Sequence, residues 1–259
     1  MASDKDKMRN ILLSIEYDGT NYHGWQIQPN GITVQEVIEN KLFELTKEKI
    51  NIASASRTDA KVHALDQKAT FRTSSNIPLK AFHLGLNSIL PFDIRIKEAS
   101  LVSEDFNARV KAKQKTYHYY FTAGNHAQTI FRNYAWFIKQ KVNWQKIQAC
   151  FKYIEGTHNF KSFQASDCVA KTTIRTIDEI KYIKKDFHIP IDGSQLHCIS
   201  IKSKGFMKHM VRNIVGTLME VGIGKRKPED IKIIIEAEDR TKAGICAPGW
   251  GLFLIKIEY

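Results

Sequence analysis

Near its start the chain alternates apolar and polar residues. Ile11, Leu13, Ile15 and Tyr17 recur at every second position, which predicts a strand with one face in a core, and Asp18-Gly19 supplies the turn that ends it. The period then changes. In TVQEVIENKLFEL the apolar residues Val34, Val37, Ile38, Leu42 and Leu45 fall on one helical face, and Thr33 and Glu36 have capping-box spacing. A strand carrying Ile50 and Ile52 follows, then a turn at Arg57-Thr58-Asp59, then a strand running through Phe71. Pro78 suits the first position of a helix reaching Leu90, and DIRIKEASLV reads as another strand. The remainder has similar ingredients. KAKQKTYHYYF reads as a strand, and NWQKIQACFKYIEG as a helix with Ile147, Phe151 and Ile154 on one face and Gly156 as its stop. TIDEIKYIKK and QLHCISIKS read as paired strands around a turn at Asp192-Gly193. MKHMVRNIVGTLMEVG is a strongly patterned helix, Pro228 opens another, and GLFLIKIEY closes the chain as a strand.

Two rounds of strands and helices of similar size predict a mixed α+β fold of two related halves, with the join between residues 103 and 112. We divide the chain at 1–105 and 106–259. At 259 residues it is long enough to bury a sizeable core, and its 43% apolar and 25% charged residues are ordinary for a globular protein. The charge balance is less ordinary: 39 Lys and Arg against 27 Asp and Glu give +12, with a pI near 9.4. Such a surplus points to a polyanionic partner, most simply nucleic acid, with a generally basic solvated surface as the plain alternative. Cys150, Cys168, Cys198 and Cys246 are too far apart to form a CxxC pair, and there is no HExxH, so no metal is expected and the cysteines read as reduced packing thiols. No apolar run approaches spanning length, and MASDKDKMRN lacks a signal-peptide core, so the expected setting is cytoplasmic, without a membrane.

Part of the charge is patterned. Arg109, Lys111, Lys113 and Lys115 are spaced by two, so on one strand they would share a face continued by Tyr117 and Tyr119. Cations beside rings suit RNA, while an edge strand blunted with lysine would look the same. A second basic stretch, Lys202, Lys204 and Lys208 with Phe206 and His209, leads into the helix containing Arg212. There Met207, Val211, Ile214, Val215 and Leu218 form the expected buried stripe, and Arg212 lies off its centre.

Alone, Asp59 in RTD reads equally as a turn residue or a helix cap. Together, however, EYDGTNYHGWQIQ, SRTDAKVHAL, HMVRNIVGTLMEVG and EDRTKAGICAPGWGLFL resemble the TruA-type tRNA pseudouridine synthases, in the same order and from about residue 10 to the C-terminus. The resemblance implies an enzyme that isomerises uridine to pseudouridine in the anticodon stem-loop of tRNA, at positions 38, 39 and 40, without metal or cofactor. It implies the pseudouridine synthase fold, two ferredoxin-like halves with mainly antiparallel sheets meeting at a central catalytic cleft, and a homodimer acting on tRNA. By motif, Asp59 matches the essential aspartate, Arg212 its ion-pair partner and Tyr117 the active-site tyrosine that stacks on the base or moves a proton. Arg57 matches the residue that helps extrude the uridine, and Leu252 the apolar wall around it. Arg109, Lys111, Lys113, Lys115, Lys202, Lys204, Phe206 and Lys208 are the expected RNA-binding surface.

The chain also departs from the family pattern. Ser56 and Lys61 stand where glycines are usual, before Arg-Thr-Asp and after Asp-Ala; Cys246 replaces a common Thr, and Gly249-Trp250 is unusual. Two other readings remain. A non-catalytic RNA-binding protein on the same scaffold has no need of Asp59, Arg212 and Tyr117 together. A glycosidase-like hydrolase would want a second catalytic carboxylate, which the Asp59 motif lacks.

Overall fold

The computed structural model describes residues 8–185 and 195–259. It is α+β with a mainly antiparallel strand pattern, and it divides into two compact units, Met1–Lys113 with Leu254–Tyr259, and Gln114–Phe253. The units are not two consecutive halves, because the closing strand returns to the first of them.

In the first unit β1 (Arg9–Tyr17) has helix α1 (Val34–Thr46) and the short β2 (Ala53–Ser54) after it, followed by β3 (His63–Thr73), β4 (Ile94–Val102) and the closing strand β10 (Leu252–Glu258). The sheet order is β4-β1-β3-β10, with β1 antiparallel to both neighbours. The alternation in β1 does what its period predicts: Ile11, Leu13, Ile15 and Tyr17 are all buried. Leu13 sits between Ala69 of β3 and Ala99 of β4, so a large side chain is flanked by small ones. Helix α1 begins where expected, with extended Thr33 accepting a hydrogen bond from the Glu36 amide at 3.4 Å. It buries Val34, Ile38 and Leu42, each worth about 1.5–3 kcal/mol against exposure. The helix expected from Pro78 is present as a π-helical turn, Ala81–Gly85, running into α2 (Leu86–Ile89). It is anchored by Phe82, whose ring lies 5.4 Å from that of Phe71 on β3.

One expectation needs correcting. Arg109, Lys111, Lys113 and Lys115 do not lie on one strand. Asn107 accepts hydrogen bonds from the amides of Arg109 and Val110, and this cap turns Ala108–Lys111 into a short helix, α3. The strand β5 (Gln114–Ala123) starts only afterwards, so the period-two spacing does not place these four cations on one face.

The second unit has strand order β5-β9-β8-β7, built from β7 (Gly156–Asn159), β8 (Ile174–Lys185) and β9 (Gln195–Ser203), with β6 (Trp136–Ile138) parallel to β5. β8 and β9 pair antiparallel as expected; the turn proposed at Asp192-Gly193 lies outside the described residues. The helix expected over residues 143–154 is two short pieces, α4 (Trp144–Ala149) and α5 (Phe151–Ile154), meeting at Cys150. Helix α6 (Met210–Gly222) buries Val211, Ile214, Val215 and Leu218, and Met207 just before it is buried too. It starts later than its apolar pattern, because His209 adopts φ 61° and breaks the turn. Helix α7 (Asp230–Ala237) follows Pro228. Among the described residues no helix is long and apolar enough to cross a membrane.

Candidate active site

Asp59 belongs to the first unit and sits half-buried in the loop between β2 and β3, with Arg57 exposed and Thr58 buried beside it. That loop is fixed from several directions. Before it, buried Gln67 accepts a hydrogen bond from the Ser56 amide (3.3 Å) and donates one to the Ser56 carbonyl (2.7 Å). Within it, Thr58 Oγ1 shares a 2.7 Å hydrogen bond with Tyr17 Oη, and the Thr58 carbonyl accepts from the Trp25 amide at 3.1 Å. After it, the Val62 amide donates to the Asp59 carbonyl at 3.2 Å, closing a four-residue turn.

The turn explains one family departure and not the other. Lys61, at its third position, has φ 63°, the left-handed region where glycine is free and lysine is strained. Ser56 has no positive φ, so glycine's freedom is not needed there.

The segment 18–25 lies directly against this turn. The Lys61 amide donates to the Tyr22 carbonyl at 3.2 Å, and the Gly19 amide donates to His63 Nδ1 at 3.0 Å. A Cβ on Gly19 would fall 2.1 Å from the Val62 carbonyl oxygen, and one on Gly24, which has φ 95°, 2.7 Å from that of Thr58. Two glycines therefore let one backbone seat against another, and Asp59 is carried on the result. Sequence reasoning missed Gly19, Gly24, Tyr17 and Gln67 as its supports. The available signal was the glycine spacing in DGTNYHGW.

The second unit carries Tyr117, Arg212, Phe206 and Leu252. Tyr117 is buried on the face of β5 that also carries Lys115, Tyr119 and Phe121. Its ring meets Phe206 edge-on at 5.2 Å. Arg212 is half-buried on α6, and its Nε donates to the Ala247 carbonyl at 2.7 Å while the Ala247 amide donates to the Arg212 carbonyl at 3.1 Å. The segment carrying Ala247 is itself tied down. Tyr119 Oη donates to the Pro248 carbonyl at 2.8 Å. A Cβ on Gly251 would fall 2.7 Å from the Tyr119 ring, and one on Gly216 of α6 only 1.8 Å from the Ile245 carbonyl. Burial holds the Tyr119 hydroxyl far above its ordinary pKa, partly opposed by the nearby Arg212 charge, so it remains a donor at neutral pH. Tyr119, Gly216 and Gly251 were not singled out from sequence as supports for Arg212.

The expected RNA-binding cations differ in exposure and in pairing. Arg109, Lys113 and Lys204 are exposed. Lys111 pairs with Asp105 at 3.2 Å, Lys202 with Glu179 at 3.1 Å and Lys208 with Asp167 at 2.5 Å. Lys115 is 9% exposed and Leu252 is buried. Among the described residues no three His, Cys, Asp or Glu side chains are gathered as a metal ion would need.

Comparison with known proteins matches residues 13–109 and 149–259 to the family model described as tRNA pseudouridine synthase. A curated tRNA pseudouridine synthase A of Caldicellulosiruptor bescii is 46% identical over 97% of this chain and 100% of its own length. The tRNA pseudouridine synthase A of Thermoanaerobacter sp. is 44% identical, and the tRNA pseudouridine synthase A 2 of Clostridium perfringens 45%, with the same coverage. Among solved structures, an archaeal box H/ACA sRNP Nop10-Cbf5 complex aligns over 89% of this chain and 59% of that one at 12% identity and TM-score 0.35, too remote to carry weight.

Proposed function

Since the chain belongs to the tRNA pseudouridine synthase family and isomerises uridine to pseudouridine in tRNA, we propose that its targets lie in the anticodon stem-loop, at positions 38, 39 and 40, and that Asp59 is its nucleophile. The reaction breaks the bond from C1′ to N1 and makes one from C1′ to C5. N1 gains the proton that C5 loses, so atoms balance without a co-reactant. A stacked base cannot be reached in place, and extruding it costs about a few kcal/mol. In this reading Arg57 helps to extrude the uridine, Tyr117 stacks on it or moves the C5 proton, and Leu252 walls off water. In the same reading Arg212 is the ion-pair partner that orients the Asp59 carboxylate. The N-terminal half carries the aspartate loop, the C-terminal half the tyrosine, the arginine and a basic RNA surface. The working form in this reading is a cytoplasmic homodimer.

The observation that carries the assignment of Asp59 is its loop, held by backbone hydrogen bonds through Thr58, Asp59 and Lys61, because a nucleophile must be positioned before the base arrives. The test is Asp59→Asn, assayed for pseudouridine at each position of an unmodified tRNA transcript with enzyme in excess, beside a filter-binding curve on the same RNA. Binding should hold or tighten while conversion falls to background. Substantial conversion by the variant would remove Asp59 from the chemistry. Conversion mapped outside 38–40 would move the target site, and a wild-type protein that binds but converts nothing would be an RNA-binding protein on this scaffold.

A further inference from the structure

The second unit holds a cavity of about 600 Å³ whose lining includes none of the proposed catalytic residues. Part of that lining is a stack of rings. Trp144 lies on His197 with centroids 4.0 Å apart and 18° between planes, and on Tyr182 at 5.2 Å and 22°. Tyr182 Oη is 2.6 Å from His197 Nδ1. Burial, with Lys184 nearby, pushes the His197 pKa down to about 4, so the stack is uncharged at neutral pH.

The rest of the lining has a different chemistry. Lys139, Lys141 and Lys184 are exposed there, Gln145 and Gln148 supply amides, and among the described residues no carboxylate lines the cavity. Among the described residues none of these three lysines takes part in an ion pair, unlike Lys111, Lys202 and Lys208. Unneutralised ammonium groups, a partly exposed indole and amide groups together match a nucleotide: phosphate for the cations, a π face for the indole, base edges for the amides.

We propose that this cavity binds one unpaired nucleotide of the tRNA other than the target uridine, its base against Trp144 and its phosphates against Lys139, Lys141 and Lys184. The proposal rests on tRNA being the substrate. It would give the enzyme a second hold on the RNA, adding affinity without touching the reacting atoms.

The experiment compares full-length wild type with a K139A/K141A/K184A variant and with Trp144→Leu, using one unmodified tRNA transcript. Filter binding is measured across a salt series, and conversion at saturating enzyme in a single turnover. The lysine variant, changed only at exposed positions, should bind more weakly and lose about 2–3 from the slope of log K against log salt. Trp144→Leu should bind about 5- to 150-fold more weakly. Both should convert bound tRNA at the wild-type rate. If Trp144→Leu melts early, the lysine variant decides alone. Unchanged affinity and slope in a variant series whose wild type binds and converts tRNA would overturn the proposal and leave the enzymatic reading intact. Altered sedimentation with unchanged tRNA binding would overturn it too, making the cavity a contact between copies of the chain. A wild type that converts no tRNA would instead sink the reading on which the proposal rests.

Discussion

Gly19→Ala is the sharpest probe of how Asp59 is held. Gly19 has no positive φ, so alanine suits its backbone, and the only perturbation is one methyl group. That methyl would stand 2.1 Å from the Val62 carbonyl oxygen and 2.7 Å from the carbonyl carbon. Comfortable contact between such atoms begins near ~3.5 Å, so one backbone must retreat by about 1 Å or more. Retreat strains the Gly19 amide's bond to His63 and the Val62 amide's bond to the Asp59 carbonyl. Overpacking of this kind costs about 1–3 kcal/mol, or ~2–12 °C in melting temperature for a chain of this size. A displacement near 1 Å at the nucleophile should lower single-turnover conversion by ~100-fold. Binding of tRNA should change only a few-fold, since no cation is touched. Gly205→Ala is the control, because a Cβ there meets nothing within 4 Å and φ is not positive. The assay is pseudouridine formation with excess enzyme, with thermal melting on the same samples. A Gly19→Ala protein that melts with wild type and converts within threefold of it would refute the claim that this close approach positions Asp59.

Three further outcomes are expected. Tyr119→Phe leaves the half-buried Pro248 carbonyl without its donor and should cost about 0.5–1.5 kcal/mol in a denaturant titration, with slower turnover because the same segment anchors Arg212. Lys61→Gly should be neutral or stabilising by up to ~1.5 kcal/mol, since relief of the left-handed strain (about 1–2 kcal/mol) is offset by glycine's freedom when unfolded (about 0.5–1); Lys61→Val should be destabilising in the same titration. His197 has a folded pKa of about 4, below the ordinary value near 6.5, so the unfolded chain takes up a proton that the folded one refuses. Its contribution is therefore complete above pH ~6.5 and is lost as pH falls towards 4, and His197→Gln should flatten the melting temperature over that window.

The parts legible in the sequence were those set by local period and local caps. The alternation from Ile11 to Tyr17 and the stripe from Val211 to Leu218 each put their apolar face in a core, and Thr33 capped the helix it was expected to cap. The stretch from Arg109 to Lys115 misled for an equally local reason, because Asn107 captures two amides and starts a helix where charge spacing alone suggested a strand. What stayed hidden is tertiary. Nothing near Gly19 in sequence says that Val62 will lie against it, and nothing near Gly216 announces the Ile245 carbonyl. The ring stack draws Trp144 from a helix and Tyr182 and His197 from two strands, so no window of the sequence contains it.

Charge shows the same division most clearly. Net charge is read directly from the sequence, but availability depends on which carboxylate the fold places beside each cation. The Lys111–Asp105 pair is exposed on both sides, 49% and 73%, so solvent screens it and a phosphate can displace the aspartate at little cost. Pairing therefore lowers the rank of Lys111, Lys202 and Lys208 as RNA contacts without removing them. Burial acts differently. Lys115 is 9% exposed on the core face of β5, and replacing it would disturb packing and charge together. Exposed Lys113, just before that strand, separates the two effects. A salt slope that responds to Lys113→Ala at unchanged stability would report a phosphate contact and nothing else.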